Sequence, residues 1–494
     1  MRIATAAGIL LLLGAAGPLE AGDVVGPDII VNEIAGIDPF DPNDLPDVNW
    51  YALVDGIHAY SFRTEACNVG DLAAAWISNS NDHPVISQTM YRLAGRRFEQ
   101  IGQAWLKHGF ATENGFHCGI CQPTVGDTLG VDCSDAYSAD LNGATGLLGP
   151  KSQVNPSNGF FPFPFNAPLP PPGIGRRLQV HADDLAPDLH PGARFFFEAQ
   201  YVAADDAAFG NAKNNASWRE VTFDSETVVL SPSGPTMPQE PVIFAWAGLD
   251  EGVRITEITI SNDGGAGFDG WMYLGARATY LGDCLWEYEY ALQNYNSHQA
   301  CGAFRVPIPD GTVVHDAGFH DVDYHSGEVI NGDDWPATVA GDAVSWATEP
   351  FAASANANAV RWGTTYNFRF VAEAPPTCDG QVEIGLFRTP ENGPMLVDTI
   401  APTAGFVCSR TGDIDFDCDL DADDYQLFLD SFLKRPGQPG YREEANMDAI
   451  GFVAWPDYFL WLDRYREFVN DPSAPPPLPQ LPGRLPRHLS ATTP

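Results

Sequence analysis

The stretch whose residue types and spacing prescribe a chemistry is GDIDFDCDLDADDYQLFLDSF, running from Gly412 to Phe432. Numbered from Asp413, its oxygen side chains Asp413, Asp415, Asp417, Asp421 and Asp424 fall at loop positions 1, 3, 5, 9 and 12, with Asp419 at position 7. Ca²⁺ takes roughly six to eight oxygens, and a dense alternating carboxylate run supplies them from one short EF-hand-like loop. A second half, EEANMDAIGFVAWPDYFLWLDRYREF, puts Asn446, Asp448 and Asp457 at positions 1, 3 and 12. It lacks inner ligands, because Ile450 stands at position 5 and Ala454 at position 9. The turn residue at position 6 is Cys418 in the first loop and Gly451 in the second, and only glycine takes a left-handed turn without steric strain. The spacing predicts one Ca²⁺ site in the first loop and a weak or empty second one.

Three other constellations are candidates for chemistry. HCGIC, His117 to Cys121, has Cys133 and His108 near it in sequence and is either a zinc or copper cluster or a set of disulfides. HDAGFHDVDYH, His315 to His325, read as a strand, places Asp321, Asp323 and His325 on one side and His320, Val322 and Tyr324 on the other. That is either a metal-binding face or a solvated strand end. Glycoside hydrolysis needs two carboxyl groups flanking a sugar, for which Glu65, Glu99, Glu198, Glu287 and Glu289 are available without any pair standing out. No nucleophile elbow, phosphate loop, H-E-x-x-H or dinucleotide fingerprint is present. Catalytic residues stay unknown at this level.

The elements that must hold these groups are mainly strands. Ala193 to Val202, Arg219 to Leu230, Val253 to Ser261, Trp271 to Tyr280, Trp286 to Leu292, Thr365 to Ala372 and Gln381 to Phe387 are short, aromatic and β-branched. The proline-rich run from Asn155 to Gly175 reads as a long loop, and Ser231 to Pro241 as a linker. After Asp424, the residues Tyr425, Phe428, Leu429 and Phe432 recur at helical spacing. The fold class expected is mainly β: a β-rich N-terminal domain over 23–235, a β-sandwich over 242–402 and a small α-helical module over 412–468. A signal peptide over 1–21 precedes them and a Pro-rich tail over 472–494 follows.

The two halves of 412–468 resemble the duplicated Ca²⁺ loop and helix of type I dockerin modules, in which an Asp at position 12 precedes an aromatic or apolar residue and a helix. The resemblance implies Ca²⁺ as the cofactor and a cohesin-like protein or cell-surface partner. The aromatic face Tyr458, Phe459, Trp461, Leu462 and Tyr465 is either that docking surface or the packing face against the other helix. EQIGQAWLKHGF, CSDAYSADLNG, GFHDVDYHSGE and RWGTTYNFRF in the front part resemble a set of uncharacterised bacterial exported proteins, a likeness that brings no catalytic residue with it.

Charge and cysteines narrow the setting. With 26 Lys+Arg against 65 Asp+Glu, the formal net charge of −39 excludes nucleic acid and anionic membranes as partners. No stretch after the leader is long and apolar enough to span a bilayer. Nine cysteines suit an oxidising compartment. Proximity suggests Cys284 with Cys301 and Cys378 with Cys408, whereas Cys67, Cys118, Cys121 and Cys133 allow three pairings. Together these readings predict a secreted, acidic calcium-binding protein acting in binding or assembly at the cell exterior. The alternative is an extracellular polysaccharide-acting hydrolase tethered by its dockerin-like module; a metal-dependent oxidoreductase using the front histidines is a third.

Overall fold

Strand dominates the computed structural model, with 41% of the described residues against 13% in helix, so the chain is mainly β as expected. The structure describes residues 24–36, 47–265, 267–282, 285–403, 412, 414, 422–442, 445–447, 451–468 and 475. The expected signal peptide, 1–21, lies outside the described residues, and so does the tail 472–494 apart from Pro475.

Strand Arg194–Val202 shows how the layers arise. Its sequence does not alternate polar with apolar, because both of its faces are covered. Phe195, Phe197, Ala199 and Tyr201 point one way, into a core shared with strands Ile29–Ile34 and Thr64–Asn68 of a three-stranded antiparallel sheet. Phe196, Glu198 and Gln200 point the other way. Phe196 joins a second cluster with Trp246 and Tyr273, Glu198 accepts from Gln293 Nε2, and Gln200 Nε2 donates to the Tyr295 carbonyl at 3.0 Å. The strand sits inside a ten-stranded sheet between Ala216–Asp224 and Val85–Ala94.

The next layers follow the same two-residue period. In Leu285–Asn294 the residues Trp286, Tyr288, Tyr290 and Leu292 enter the sandwich core, while Glu289, Ala291 and Gln293 turn toward the front block. That core fills the space between two five-stranded sheets, one built around Leu285–Asn294 and Thr364–Ala372, the other around Cys301–Pro307 and Pro376–Leu386. The β-sandwich expected over 242–402 is therefore present, and the ten-stranded sheet packs against its outer face.

Two expectations are corrected. Most of Ser231–Pro241, read as a linker, is strand Val229–Met237, paired with Ala216–Asp224 at the end of the ten-stranded sheet. Pro232 and Pro235 are tolerated there because an edge strand leaves backbone N–H groups unused. The Cys284–Cys301 disulfide does not form: Cys301 is a free, buried thiol whose Sγ lies 3.2 Å from the Ala303 carbonyl. Cys284 itself lies outside the described residues. Cys378 is disulfide-bonded, while Cys408 lies outside the described residues.

At the C-terminal end, helices Ala422–Ser431 and Trp455–Phe468 share a small core of Ile414, Phe428, Met447, Val453, Trp461 and Leu462. Pro456 occupies the first turn of the second helix, where a missing N–H costs nothing.

Candidate functional site

A polar cleft opens where the ten-stranded sheet meets the sandwich. It consists of two basins of about 500 and 510 Å³ that share Asp184 and His320. Strand Arg97–Gln103 and the Leu178–His181 strand supply Glu99, Gln100, Gln179 and His181 from the front block. The sandwich supplies the segment that leaves strand Val314–His320. The alternation expected for 315–325 stops at His320, and the whole run from His320 to His325 lines the first basin.

Hydrogen bonds to the front block hold this run open. His320 Nε2 lies 3.1 Å from the Gln100 carbonyl and His325 Nε2 lies 2.6 Å from that of Gln103, while Gln103 Nε2 donates to the Asp323 carbonyl at 3.0 Å. At the rim, His181 Nε2 and Asp323 Oδ2 are 2.7 Å apart. Asp321 accepts from Asn358 Nδ2, and Asn358 is itself held by the Tyr366 hydroxyl. Burial pushes the Asp321 carboxyl up to about 6, the direction expected when desolvation disfavours charge. Glu99 behaves in the opposite way. Burial would raise it, yet His320, Arg92 and Arg97 together hold it below its ordinary value, and Arg92 bridges it to Asp184 at 2.7 and 2.8 Å.

The other predicted acids do not converge. Glu65 lies in the three-stranded sheet, bonded to Arg63 at 2.9 Å and to His117 at 2.7 Å. Glu198 is enclosed between the blocks, and Glu287 and Glu289 pair with Arg97 at 3.5 and 2.6 Å. The HCGIC reading resolves to disulfides, Cys67–Cys118 and Cys121–Cys133. His108 turns away from the cysteines to His83, 3.0 Å off, and stacks on Phe165. With the thiols consumed and His108 enclosed by aromatic rings, the metal-dependent oxidoreductase reading is withdrawn. Among the described residues, which include Asp321, Asp323 and His325, no group of three or more His, Cys, Asp or Glu is arranged to hold a metal ion.

Of the predicted Ca²⁺ ligands, Asp424, Asn446 and Asp457 are described, whereas Asp413, Asp415, Asp417, Asp419, Asp421 and Asp448 lie outside the described residues. The two position-12 aspartates occupy equivalent places, each third in its helix and each 0% exposed. Both turn back onto the preceding loop: Asp424 Oδ1 accepts from the Ile414 N–H, and Asp457 Oδ2 from the Ala454 N–H at 2.7 Å. Asn446 is buried and donates to the Tyr441 hydroxyl at 3.3 Å. Gly451 takes φ +74°, the left-handed turn that its position calls for. The aromatic face divides: Trp461 and Leu462 are buried, and Trp461 stacks on Tyr425 and donates to the Gly412 carbonyl at 2.7 Å. Phe459, by contrast, is 58% exposed beside an exposed Trp455.

Sequence reasoning missed Arg92, His181 and Asp184, which have no motif around them. They become cleft residues because their strands and turns meet a segment more than a hundred residues away in the chain. Among the described residues, no helix is long and apolar enough to cross a membrane. No protein-family model matches the chain, and no curated protein matches it either.

Proposed function

We propose that the chain is an exported, Ca²⁺-binding protein acting in binding or assembly at the cell exterior, with the interblock cleft as its ligand face and a dockerin-like C-terminal module as its tether. The observation that carries this reading is the matched pair Asp424 and Asp457, two fully buried carboxylates turned back at the start of two packed helices, one of them closing an alternating aspartate run. The exposed Trp455 and Phe459 are the surface offered to a cohesin-like or cell-surface partner. Calorimetric titration of the mature protein with Ca²⁺ is expected to show one tight site; absence of binding at millimolar Ca²⁺ overturns the proposal.

A second reading, an extracellular hydrolase acting on polysaccharide, is favoured by one pair in the cleft. Asp321 is pushed up and Glu99 held down, and carboxyl groups whose pKa values are driven apart are suited to acid and base roles. As a general acid, Asp321 must be protonated, so activity falls as pH rises through about 6. Under this reading, sugar released from a polysaccharide panel is expected to drop by about a hundredfold or more in Asp321→Asn while retention on the polymer persists. Retention by the wild type without any released sugar leaves the binding reading alone.

A further inference from the structure

Cations are scarce in this chain, yet Lys151, Arg361, Arg388 and His298 line one small cavity behind the cleft, together with Ser152, Ser297 and Trp362. The three cations are held by backbone carbonyls. Lys151 Nζ donates to Gly363 at 3.2 Å, Arg361 to Ala355 and Ala357 at 2.8 and 3.0 Å, and Arg388 Nε to His298 at 2.8 Å. Among the described residues none of the three makes an ion pair, unlike Arg63, Arg92, Arg97, Arg277 and Arg305. Lys151 is only 5% exposed and Arg361 9%, and Arg361 Nε is buried with no hydrogen-bond partner.

Burying cations without an ion-pair partner is unfavourable, and a guanidinium nitrogen left without an acceptor adds to the cost. The nearby carboxylates offset this only in part, since Glu198 and Glu328 act on Lys151 and Asp263 on Arg388 without forming an ion pair. Asp263 uses its oxygens on Ser297 Oγ and on the N–H groups of His298 and Gln299. Burial raises the pKa of Glu328 and of Glu198, which favours their neutral forms, and it lowers that of Lys151 to about 8.

We propose that this cavity binds one oxyanion group, a carboxylate or a sulfate, with Arg361, Arg388 and Lys151 as its donors. The planar fork of arginine fits such a group bidentately, and Lys151 adds a point charge. The free volume, about 20 Å³, suits a group little larger than a water molecule and excludes a sugar ring. Tyr324 lines both this cavity and the cleft, so the group arrives either as a free ion or as the acidic substituent of a ligand lying in the cleft.

The test is titration of the full mature chain, at constant ionic strength, with sodium sulfate, sodium acetate and a uronic acid trisaccharide, followed by calorimetry and by the fluorescence of Trp362. Saturable binding of at least one probe is expected, weakened about tenfold or more in Arg388→Gln, a half-buried position, and in Lys151→Met. Tighter binding of the trisaccharide than of acetate identifies a presented carboxylate; the reverse identifies a free ion. No saturable binding to the folded wild type, or unchanged binding in both variants, overturns the site. The outcome is independent of Ca²⁺ binding by the C-terminal module.

Discussion

Asp424→Ala is expected to abolish the tight Ca²⁺ site, weakening Ca²⁺ binding by about a hundredfold or more, which is about 2.7 kcal/mol. Position 12 of such a loop ordinarily supplies two of the ligand oxygens at once, and Asp424 is the fully buried acid at that position. Its Oδ1 also accepts from the Ile414 N–H, so the variant loosens the entry to helix Ala422–Ser431 as well. Two comparisons separate the effects. Asp413→Ala, at loop position 1 and outside the described residues, is expected to lose Ca²⁺ in the same way. Asp457→Ala removes the equivalent cap of the second helix, in a loop with Ile450 and Ala454 at inner positions, and is expected to leave the tight site intact. Calorimetry reads the binding and far-ultraviolet circular dichroism in chelator reads the helix. Wild-type affinity in Asp424→Ala and Asp413→Ala would sink the proposed site.

Glu198→Ala is expected to destabilise the whole β part of the molecule by about 3–5 kcal/mol. The side chain is enclosed between the ten-stranded sheet and the sandwich, accepting from the Val242 N–H at 2.8 Å and from Gln293 Nε2 at 2.9 Å. Alanine removes the acceptor and leaves both donors buried. Glu198→Gln keeps the shape and one acceptor, and its cost is expected to be about 1 kcal/mol or less at neutral pH. The sign of the pH dependence follows from burial, which raises the Glu198 pKa. The folded chain then holds the proton more tightly than the unfolded one, so stability from this group declines as pH rises above its unfolded value. Glu198→Gln, which does not ionise, gains on the wild type over that interval. Denaturant unfolding followed by probes in both blocks should give one transition that shifts as a unit. Two transitions, with the sandwich unmoved, would mean that the blocks are independent.

Much of the architecture was legible in the chain. Val253 to Ser261 and Thr365 to Ala372, read as strands, are strands within a residue at each end, because aromatic and β-branched residues fit a pleated surface. The helix after Asp424 was legible from Tyr425, Phe428 and Phe432 at helical spacing. Ser231 to Pro241 misled because proline and glycine mark a linker and an edge strand alike. His315 to His325 misled because a period of two says nothing about where a strand stops. Arg361 and Trp362 stand in the phrase RWGTTYNFRF, where nothing in the spacing marks them as lining a small cavity.

What the sequence determined by itself was local: which segments are strands, which loop is dense in carboxylates, and which net charge the surface carries. These depend on neighbours a few residues away. Tertiary structure alone decided that Cys67 pairs with Cys118 and Cys121 with Cys133, that Cys301 stays a thiol, and that Gln100 meets Thr365 across 265 positions of chain. The physical reason is that strand periodicity tells a side chain which face it occupies and nothing about what covers that face. The cleft, the cation-lined cavity and the seam at Glu198 exist only where one sheet has been laid on another.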